Sequence, residues 1–237
     1  QSPARQECVR TRAIDNPPST RGFGMSSPEM STGPGEATRL RRVAVLGASG
    51  YVGGRLDTKL LDEGHEVVAT SRDTSRLAGL PWANRVEIRQ IDLLDEATIH
   101  SAIAGCDAAY YLVHSMGGGS GFAGRDRAAA LNLVAASHDS DLEQIIYLSG
   151  LGDENADLSE HLASRQEVGQ ILAAGTVPVT ELRAAIVIGS GSLSFEMLRY
   201  LTEVLPVMTT PRWVRTRCQP IAIADVLHYL VAVLGHR

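Results

Sequence analysis

Short apolar runs and helical patterns alternate along the chain from about residue 41 onward, and this alternation restricts the fold more than any other feature. The first run, residues 43–46, is continuously apolar, which is typical of a strand buried on both faces. Parallel strands joined by right-handed helical crossovers produce such an alternation. The predicted strands cover residues 43–46, 66–70, 86–91, 108–113, 144–148 and 179–188, and the helices between them cover 52–63, 96–104, 125–140 and 158–174. The sequence therefore predicts an α/β fold with a doubly wound parallel sheet.

Both ends of the chain depart from this alternation. Residues 1–38 are rich in Pro, Gly and Ser and show no apolar periodicity, so we expect a disordered leader there. The domain itself is expected to occupy residues 39–237. From about residue 189 the pattern weakens to one helix over 192–205, a loop rich in Arg and Pro, and a last helix from about Asp225. We expect this region to be a small C-terminal substrate lobe, which the abrupt end of the chain suggests is incomplete.

A glycine-rich loop joins the first strand to the first helix. Gly47 allows a tight turn, Gly50 lets the backbone approach a pyrophosphate, and Gly53 lets the helix pack close to the strand. The free N–H groups and the positive end of the helix dipole then face the phosphates. In this context the loop predicts a Rossmann-type sheet with a bound dinucleotide. The predicted cofactor contacts from the loop are Gly47, Ser49, Gly50, Tyr51, Val52 and Gly53.

The end of the second strand indicates which dinucleotide the chain prefers. NAD-selective sites place Asp or Glu there to hold the ribose 2′-hydroxyl, whereas this strand ends in Ser71 and Arg72. These two side chains, with Arg76 one turn further, are suited to hold a 2′-phosphate. Asp73 follows directly and weakens the inference. We expect NADP(H) to be preferred over NAD(H).

Further candidate cofactor contacts follow the third and fourth strands. Asp92 and Leu93 end the third strand, and the Asp92 carboxylate can accept a hydrogen bond from an adenine amino group. It could instead cap the next helix, although Asp95 is better placed for that role. Val113 and His114 end the fourth strand, just before a run of glycines. His114 is predicted either to face the nicotinamide half of the cofactor or to cap that loop.

Several segments together resemble the atypical short-chain dehydrogenase/reductases, and most closely the NmrA-like NAD(P)H-binding proteins. These segments are residues 47–53, 92–93, 111–116, 146–150 and 220–226. The resemblance covers about residues 41–234, and it implies a nicotinamide dinucleotide as cofactor and hydride transfer as the chemistry. Members of the narrower subgroup often carry a further C-terminal domain, which agrees with the abrupt end of this chain.

The catalytic set of that superfamily is Ser at the end of the fifth strand and Tyr-x-x-x-Lys on the next helix. Ser149 matches the first position, while His161 and Arg165 stand where Tyr and Lys belong. The resemblance implies that Ser149 orients the acceptor carbonyl, Arg165 holds the nicotinamide ribose and His161 supplies the proton. The permanent charge of Arg165 suits a binding role, but it lowers the pKa of a neighbouring His and so reduces the supply of acid. Further candidates for the acid are Tyr110, Tyr111 and Tyr147.

Composition and charge argue against several other classes of protein. The net charge is −5 and Lys and Arg form no long block, which disfavours a nucleic-acid-binding face. No apolar run approaches the roughly 20 residues that a membrane span needs. Cys8, Cys106 and Cys218 form no CxxC pair and no Cys/His cluster, so we expect neither a metal site nor a disulfide framework. This use of cysteine favours a reducing, cytoplasmic location.

Two functions remain open on the sequence. The first is an NADPH-dependent oxidoreductase with a non-standard active site that acts on a carbonyl or quinone-like acceptor. A quinone would tolerate the missing tyrosine, because water can deliver the proton. The second is a non-catalytic NADP(H)-binding redox sensor or assembly factor, whose partner is a protein rather than a small-molecule substrate. A sugar-nucleotide epimerase or dehydratase shares the fold but usually needs the missing Tyr and Lys, and fold alone does not choose among these functions.

Overall fold

A parallel sheet of six strands with one antiparallel edge strand is the main sheet in the computed structural model, which describes residues 10–13, 39–114, 121–152, 159–204 and 219–236. The strands are β1 Arg10–Ala13, β2 Arg42–Leu46, β3 Glu66–Ser71, β4 Glu87–Gln90, β5 Ala108–Tyr111, β6 Gln144–Gly150 and β7 Val179–Ala184. Their order across the sheet is β1-β7-β6-β5-β2-β3-β4, and only β1 runs antiparallel to its neighbour in this described sheet. The chain thus winds outward from β2 in both directions, and the predicted Rossmann-type doubly wound parallel sheet is confirmed.

Helices cover both faces of this sheet. They are α1 Gly53–Asp62, α2 Ser75–Ala78, α3 Glu96–Ile103, α4 Phe122–His138, α5 Glu160–Ala173, α6 Leu193–Val204 and α7 Ile223–Ala232, with a 3-10 turn at Ala83–Arg85. Apolar side chains of α3, α4 and α5 share one core with one face of the sheet, whereas those of α1 and α7 share a second core with the opposite face. Among the described helices, none combines the length and the apolar character that a bilayer crossing requires.

The structure divides the last predicted strand, residues 179–188. β7 ends at Ala184, and a separate strand β8 Val187–Ile188 pairs in parallel with β9 Ile221–Ala222. The apolar run continues across the break because both pieces are partly or fully buried, so periodicity could not reveal it. β8 and β9 lead into α6 and α7, and the predicted loop rich in Arg and Pro between these helices lies largely outside the described residues.

The sequence did not predict strand β1. It lies inside the segment expected to be a disordered leader, and it pairs Arg10 with Arg183 and Ala13 with Thr180 at the edge of β7. Backbone hydrogen bonds to an exposed sheet edge need no apolar alternation, so the sequence carries no signal for such a strand. The other residues of the 1–38 segment lie outside the described residues.

Candidate functional site

The glycine loop turns tightly against the N-terminus of α1. Gly47 has a φ of +104°, and the Gly50 N–H donates to the Gly47 carbonyl at 2.9 Å. A Cβ at Gly53 would lie 2.2 Å from the Gly47 oxygen, so only glycine allows the helix to start this close to the loop. No side chain caps the helix, whose Ncap residue is Val52. The loop therefore suits a pyrophosphate, because the N-terminus of α1 directs the positive end of the helix dipole toward it.

The side chain of Tyr51 leaves the loop toward the C-terminal lobe, a contact that the sequence did not predict. A Cβ at Gly189, just after β8, would lie 2.4 Å from the Tyr51 hydroxyl. The Arg55 guanidinium sits 4.0 Å from the centre of the Tyr51 ring and donates to the Ser190 carbonyl at 3.0 Å. Tyr51 therefore ties the glycine loop to the connection between β8 and α6, and it is available to a cofactor chiefly through its backbone.

The end of β3 places the predicted phosphate-binding residues at the sheet edge. Ser71 is buried, and its hydroxyl accepts a hydrogen bond from the Asp73 N–H at 3.3 Å, while Arg72 and Arg76 are exposed. The Asp73 carboxylate accepts hydrogen bonds from the Ser75 hydroxyl at 2.6 Å and from the Ser75 N–H at 3.1 Å. These bonds lower the pKa of Asp73 and direct its carboxylate to the start of α2.

Asp92 and Leu93 follow β4 in a hydrogen-bonded turn. The Asp92 carboxylate accepts from the Leu94 N–H at 3.0 Å, and the carboxylate is exposed. Leu93 is buried, and its carbonyl accepts from the Asn132 side chain of α4 at 3.0 Å. Asp95 caps α3 by accepting from the Ala97 N–H, as its position in the sequence predicts.

The end of β5 borders the glycine loop. A Cβ at Gly47 would lie 3.1 Å from a methyl carbon of Val113, and the Leu112 N–H donates to the Leu46 carbonyl at 3.0 Å. His114 follows and is exposed, with its imidazole near the Leu112 backbone. Desolvation and then the positive charge of Arg165 lower the pKa of His114, and the nearby Asp126 carboxylate opposes that effect.

Arg165 of α5 lies over the end of β6, beside Gly150 and next to the position of Ser149. Ser149 is 1% exposed, and its hydroxyl lies beside the Tyr147 hydroxyl without a well-aligned hydrogen bond. A Cβ at the next residue, Gly150, would lie 2.7 Å from Leu162 and 3.4 Å from the Cδ of Arg165. The missing side chain at Gly150 thus lets α5 bring Arg165 directly over the strand end. The sequence analysis assigned Ser149 and Arg165 to one site, but it did not identify Gly150 as the residue that lets α5 approach the end of β6.

The three candidate tyrosines are held in structural roles. The Tyr147 hydroxyl donates to the Arg165 carbonyl at 3.0 Å, and burial raises its pKa to about 12. Tyr111 packs edge-on against Tyr147, with ring centres 5.7 Å apart. Tyr110 lies in the opposite core, where its hydroxyl donates to the Leu230 carbonyl of α7 at 2.8 Å. Burial also raises the pKa of Tyr110 and of Tyr111, so none of the three is a ready proton donor.

His161 lies at the exposed start of α5, one turn before Arg165. Ser159 caps this helix by accepting from the Leu162 N–H. The His161 ring stacks on Phe122 of α4, with ring centres 4.4 Å apart and planes at 25°. No sequence pattern predicts this stack, because it depends on how α4 and α5 pack together.

An ion pair on β7 adjoins Ser149. Arg183 lies opposite Ser149 in the strand register and pairs with Glu181 at 3.0 Å. The Glu181 side chain is only 2% exposed, so this is a buried charge pair at the same sheet end. A Cβ at Gly169 of α5 would lie 3.1 Å from Glu181 and 3.5 Å from Tyr147. Gly169 therefore makes room for both side chains under α5.

Comparison with known proteins gives one family. The family described as NAD(P)H-binding matches residues 47–193, which contain the glycine loop, β3 to β8, and Arg165. Dihydroflavonol 4-reductase of Zea mays is 40% identical over 94 residues, which are 37% of this chain and 26% of the relative. The chain thus covers about a quarter of the length of this relative.

Two solved structures are similar in fold. The enzyme WbmH of Bordetella bronchiseptica, in complex with NAD+, matches with a TM-score of 0.68 at 16% identity, over 84% of this chain and 73% of that one. Vestitone reductase of alfalfa, Medicago sativa, matches with a TM-score of 0.62 at 19% identity, over 83% of this chain and 73% of that one. At such identities the likeness shows a shared fold and nothing beyond it.

Proposed function

The chain belongs to the NAD(P)H-binding family, as its resemblance to the short-chain dehydrogenase/reductases predicted, and from that premise we propose that it is an NADPH-dependent oxidoreductase for a carbonyl or quinone-like acceptor. The observation that carries the proposal is the position of Arg165 over Gly150, the residue after Ser149, at the carboxyl end of β6. This is the sheet edge at which ligands of doubly wound folds bind. The relative from Zea mays is named a reductase, which supports reduction as the direction of the reaction.

Each group of residues has a separate role in this proposal. The glycine loop, with its uncapped helix N-terminus, holds the pyrophosphate. The bound dinucleotide supplies a hydride. Arg165 donates hydrogen bonds to the nicotinamide ribose, which its permanent charge allows at any working pH. The buried Ser149 hydroxyl donates to the acceptor oxygen and orients it for reduction.

Cofactor binding and turnover test the proposal together. The purified chain is titrated with NADPH, NADP+, NADH and NAD+, and the oxidation of NADPH by a panel of quinones is then followed. We expect tight NADPH binding with turnover. Arg165→Ala should weaken dinucleotide binding by about 1–3 kcal/mol, as for a charge-assisted hydrogen bond. Ser149→Ala should keep the affinity and lose most of the turnover, whereas Arg127→Ala, an exposed arginine of α4, serves as the matched control.

A non-catalytic redox sensor or assembly factor is the second candidate function. The observation that favours it is the composition of α5, which contains neither Tyr nor Lys. Tight binding of NADPH without turnover of any acceptor would reject the reductase and direct the search to protein partners.

We propose a preference for NADP(H) over NAD(H) from the end of β3. Arg72 and Arg76 are exposed beside Ser71, and the one nearby acid, Asp73, is already bonded to Ser75. Arg72→Ala should weaken NADP(H) binding by about tenfold, the effect of one charge-assisted hydrogen bond, and leave NAD(H) almost unchanged. Titration of the variant with both cofactors measures this. Equal losses for both cofactors would refute a 2′-phosphate contact, and Arg85→Ala, in an exposed pair with Asp62, is the control.

A further inference from the structure

We propose that His114, and not His161, gives the proton to the oxygen of the reduced acceptor. The inference rests on the proposed reductase function and assigns the missing acid of that site. It replaces the role expected for His161, and it gives His114 a role in the chemical step in place of the cofactor contact expected from the sequence.

The position of His114 follows from the topology of the sheet. β5 lies between β2, which carries the glycine loop, and β6, which carries Ser149. Val113 contacts the turn at Gly47, so the next residue stands beside the cradle for the dinucleotide. The strand order changes direction at this point, and the resulting crevice is where ligands of open α/β sheets bind. His114 therefore lies between the phosphate cradle and the Ser149–Arg165 pair.

Desolvation and the Arg165 charge lower the pKa of His114, which makes its imidazolium a stronger acid and also reduces the protonated fraction near neutral pH. Arg165 and His161 approach it from α5, and Asp126 approaches it from α4, where Asp126 accepts from the Ser164 hydroxyl at 3.2 Å. The imidazole lies near the Leu112 backbone, which favours its charged form. The charged imidazolium carries the transferable proton. The exposed part of the ring gives water a path to restore that proton.

His161 is less suited to the same role. Its ring is held flat against Phe122 at the exposed start of α5. The stack holds the His161 ring against α4, at the solvent-exposed end of α5.

The step transfers a hydride to the carbon of the acceptor and a proton to its oxygen. The acceptor carbon receives a hydride, so the acceptor is reduced by two electrons and the bound dinucleotide is oxidised by two. The carbonyl π electrons move to oxygen, which forms an O–H bond while the N–H bond of the His114 imidazolium breaks. Neutral imidazole remains and takes a proton from water. In the reverse direction the same neutral imidazole accepts the proton of the alcohol.

Kinetics of three histidine variants test the assignment. His114→Gln should lower the kcat of reduction by about 100-fold and leave the dissociation constant of NADPH nearly unchanged. His161→Gln and the control His100→Gln, an exposed residue of α3, should keep kcat close to wild type. The wild-type kcat for reduction should fall as pH rises through the pKa of His114, and the kcat for oxidation should rise through the same value. In His114→Gln both of these pH dependences of kcat should disappear.

A measurement on the free protein gives a readout that does not depend on turnover. Histidine NMR should find the His114 pKa below its ordinary value of 6.5. Arg165→Gln should raise that pKa, and Arg165→Lys, which keeps the charge, should not. The assignment of His114 would be wrong if its pKa did not change in Arg165→Gln. It would also be wrong if kcat fell in His161→Gln and not in His114→Gln. Either result would leave the proposed reductase function standing. Wild-type protein that binds NADPH and reduces no acceptor would overturn the proposed function, and the inference with it.

Discussion

Asp57 is a carboxyl group placed where the helix pattern would put an apolar side chain. It shares the inward face of α1 with Gly53, Leu56 and Leu60 and is completely buried. Neither carboxylate oxygen has a hydrogen-bond partner among the described residues. Desolvation therefore raises the pKa of Asp57 from 3.8 to about 8. The residue is neutral in the folded protein at pH values where it is charged in the unfolded chain.

This difference makes folding depend on pH in a direction opposite to that of a salt-bridged acid. Between about pH 4 and pH 8 the folded state holds a proton that the unfolded state releases, so stability falls as pH rises through that range. Asp57→Asn should remove this dependence and make the variant more stable than wild type at pH 8 by about 3–4 kcal/mol, relative to their difference at pH 5. Urea unfolding at both pH values measures the difference.

Asp62→Asn is the matched control for this prediction. Asp62 ends the same helix, is exposed, and pairs with Arg85 at 3.5 Å. The pH dependence of its stability should resemble that of wild type. An Asp57→Asn variant with the wild-type slope would show that the buried carboxyl titrates normally.

At the scale of elements, the start of α1 shows why glycine spacing is informative. Gly53 faces backbone atoms of Gly47 and Ala48, and no rotation of a side chain can relieve a clash with them. Gly124 lies in α4, is exposed, and has no atom within 4 Å of an added Cβ. Substitution of glycine by alanine is therefore expected to destabilise the protein at Gly53 and to stabilise it at Gly124.

Gly53→Ala should lower the melting temperature and abolish measurable dinucleotide binding, because the helix must move away from the loop. Gly124→Ala should stabilise the protein by about 0.5–1 kcal/mol, since alanine loses less backbone freedom on folding and has the better helix propensity. Thermal unfolding and NADPH titration of both variants check the pair. Normal cofactor affinity in Gly53→Ala would mean that the loop and helix can separate without loss of the cradle.

The same elements show how far the sequence could predict the site. The glycine loop and the Asp95 cap depend on local spacing, which a sequence displays directly, whereas Ser149 and Arg165 were placed in one site by the family resemblance. The stack of His161 on Phe122 depends on the packing of two helices, and no spacing along the chain encodes it. Residues 179–188 divide into β7 and β8 although the apolar run does not stop, because β7 is largely buried in the main sheet and the half-buried β8 pairs with β9 in a second sheet.

At the scale of the whole molecule, side chains from two strands of the sheet form hydrogen bonds with the last helix and with the residues that follow it. Gln144, at the start of β6, donates to the carbonyls of Val233 and His236 at 3.0 and 2.8 Å. Its side-chain oxygen accepts from the Gly235 N–H at 2.8 Å. The Tyr110 hydroxyl donates a hydrogen bond to the carbonyl of Leu230, within α7. Because α7 packs against α1, the C-terminal helix supports the helix that begins at the cofactor loop.

Gln144→Ala tests whether this support reaches the cofactor site. Gln144 is 1% exposed, so its loss leaves several backbone groups of the α7 terminus without partners and should cost about 2–4 kcal/mol of stability. Hydrogen exchange should speed up in α7 and then in α1, and the affinity for NADPH should fall, although residue 144 lies at the opposite end of β6 from Ser149. Gln170→Ala, at an exposed position of α5, should change neither quantity. Faster exchange confined to α7, with normal NADPH affinity, would show that the last helix stabilises the fold without acting on the cofactor loop.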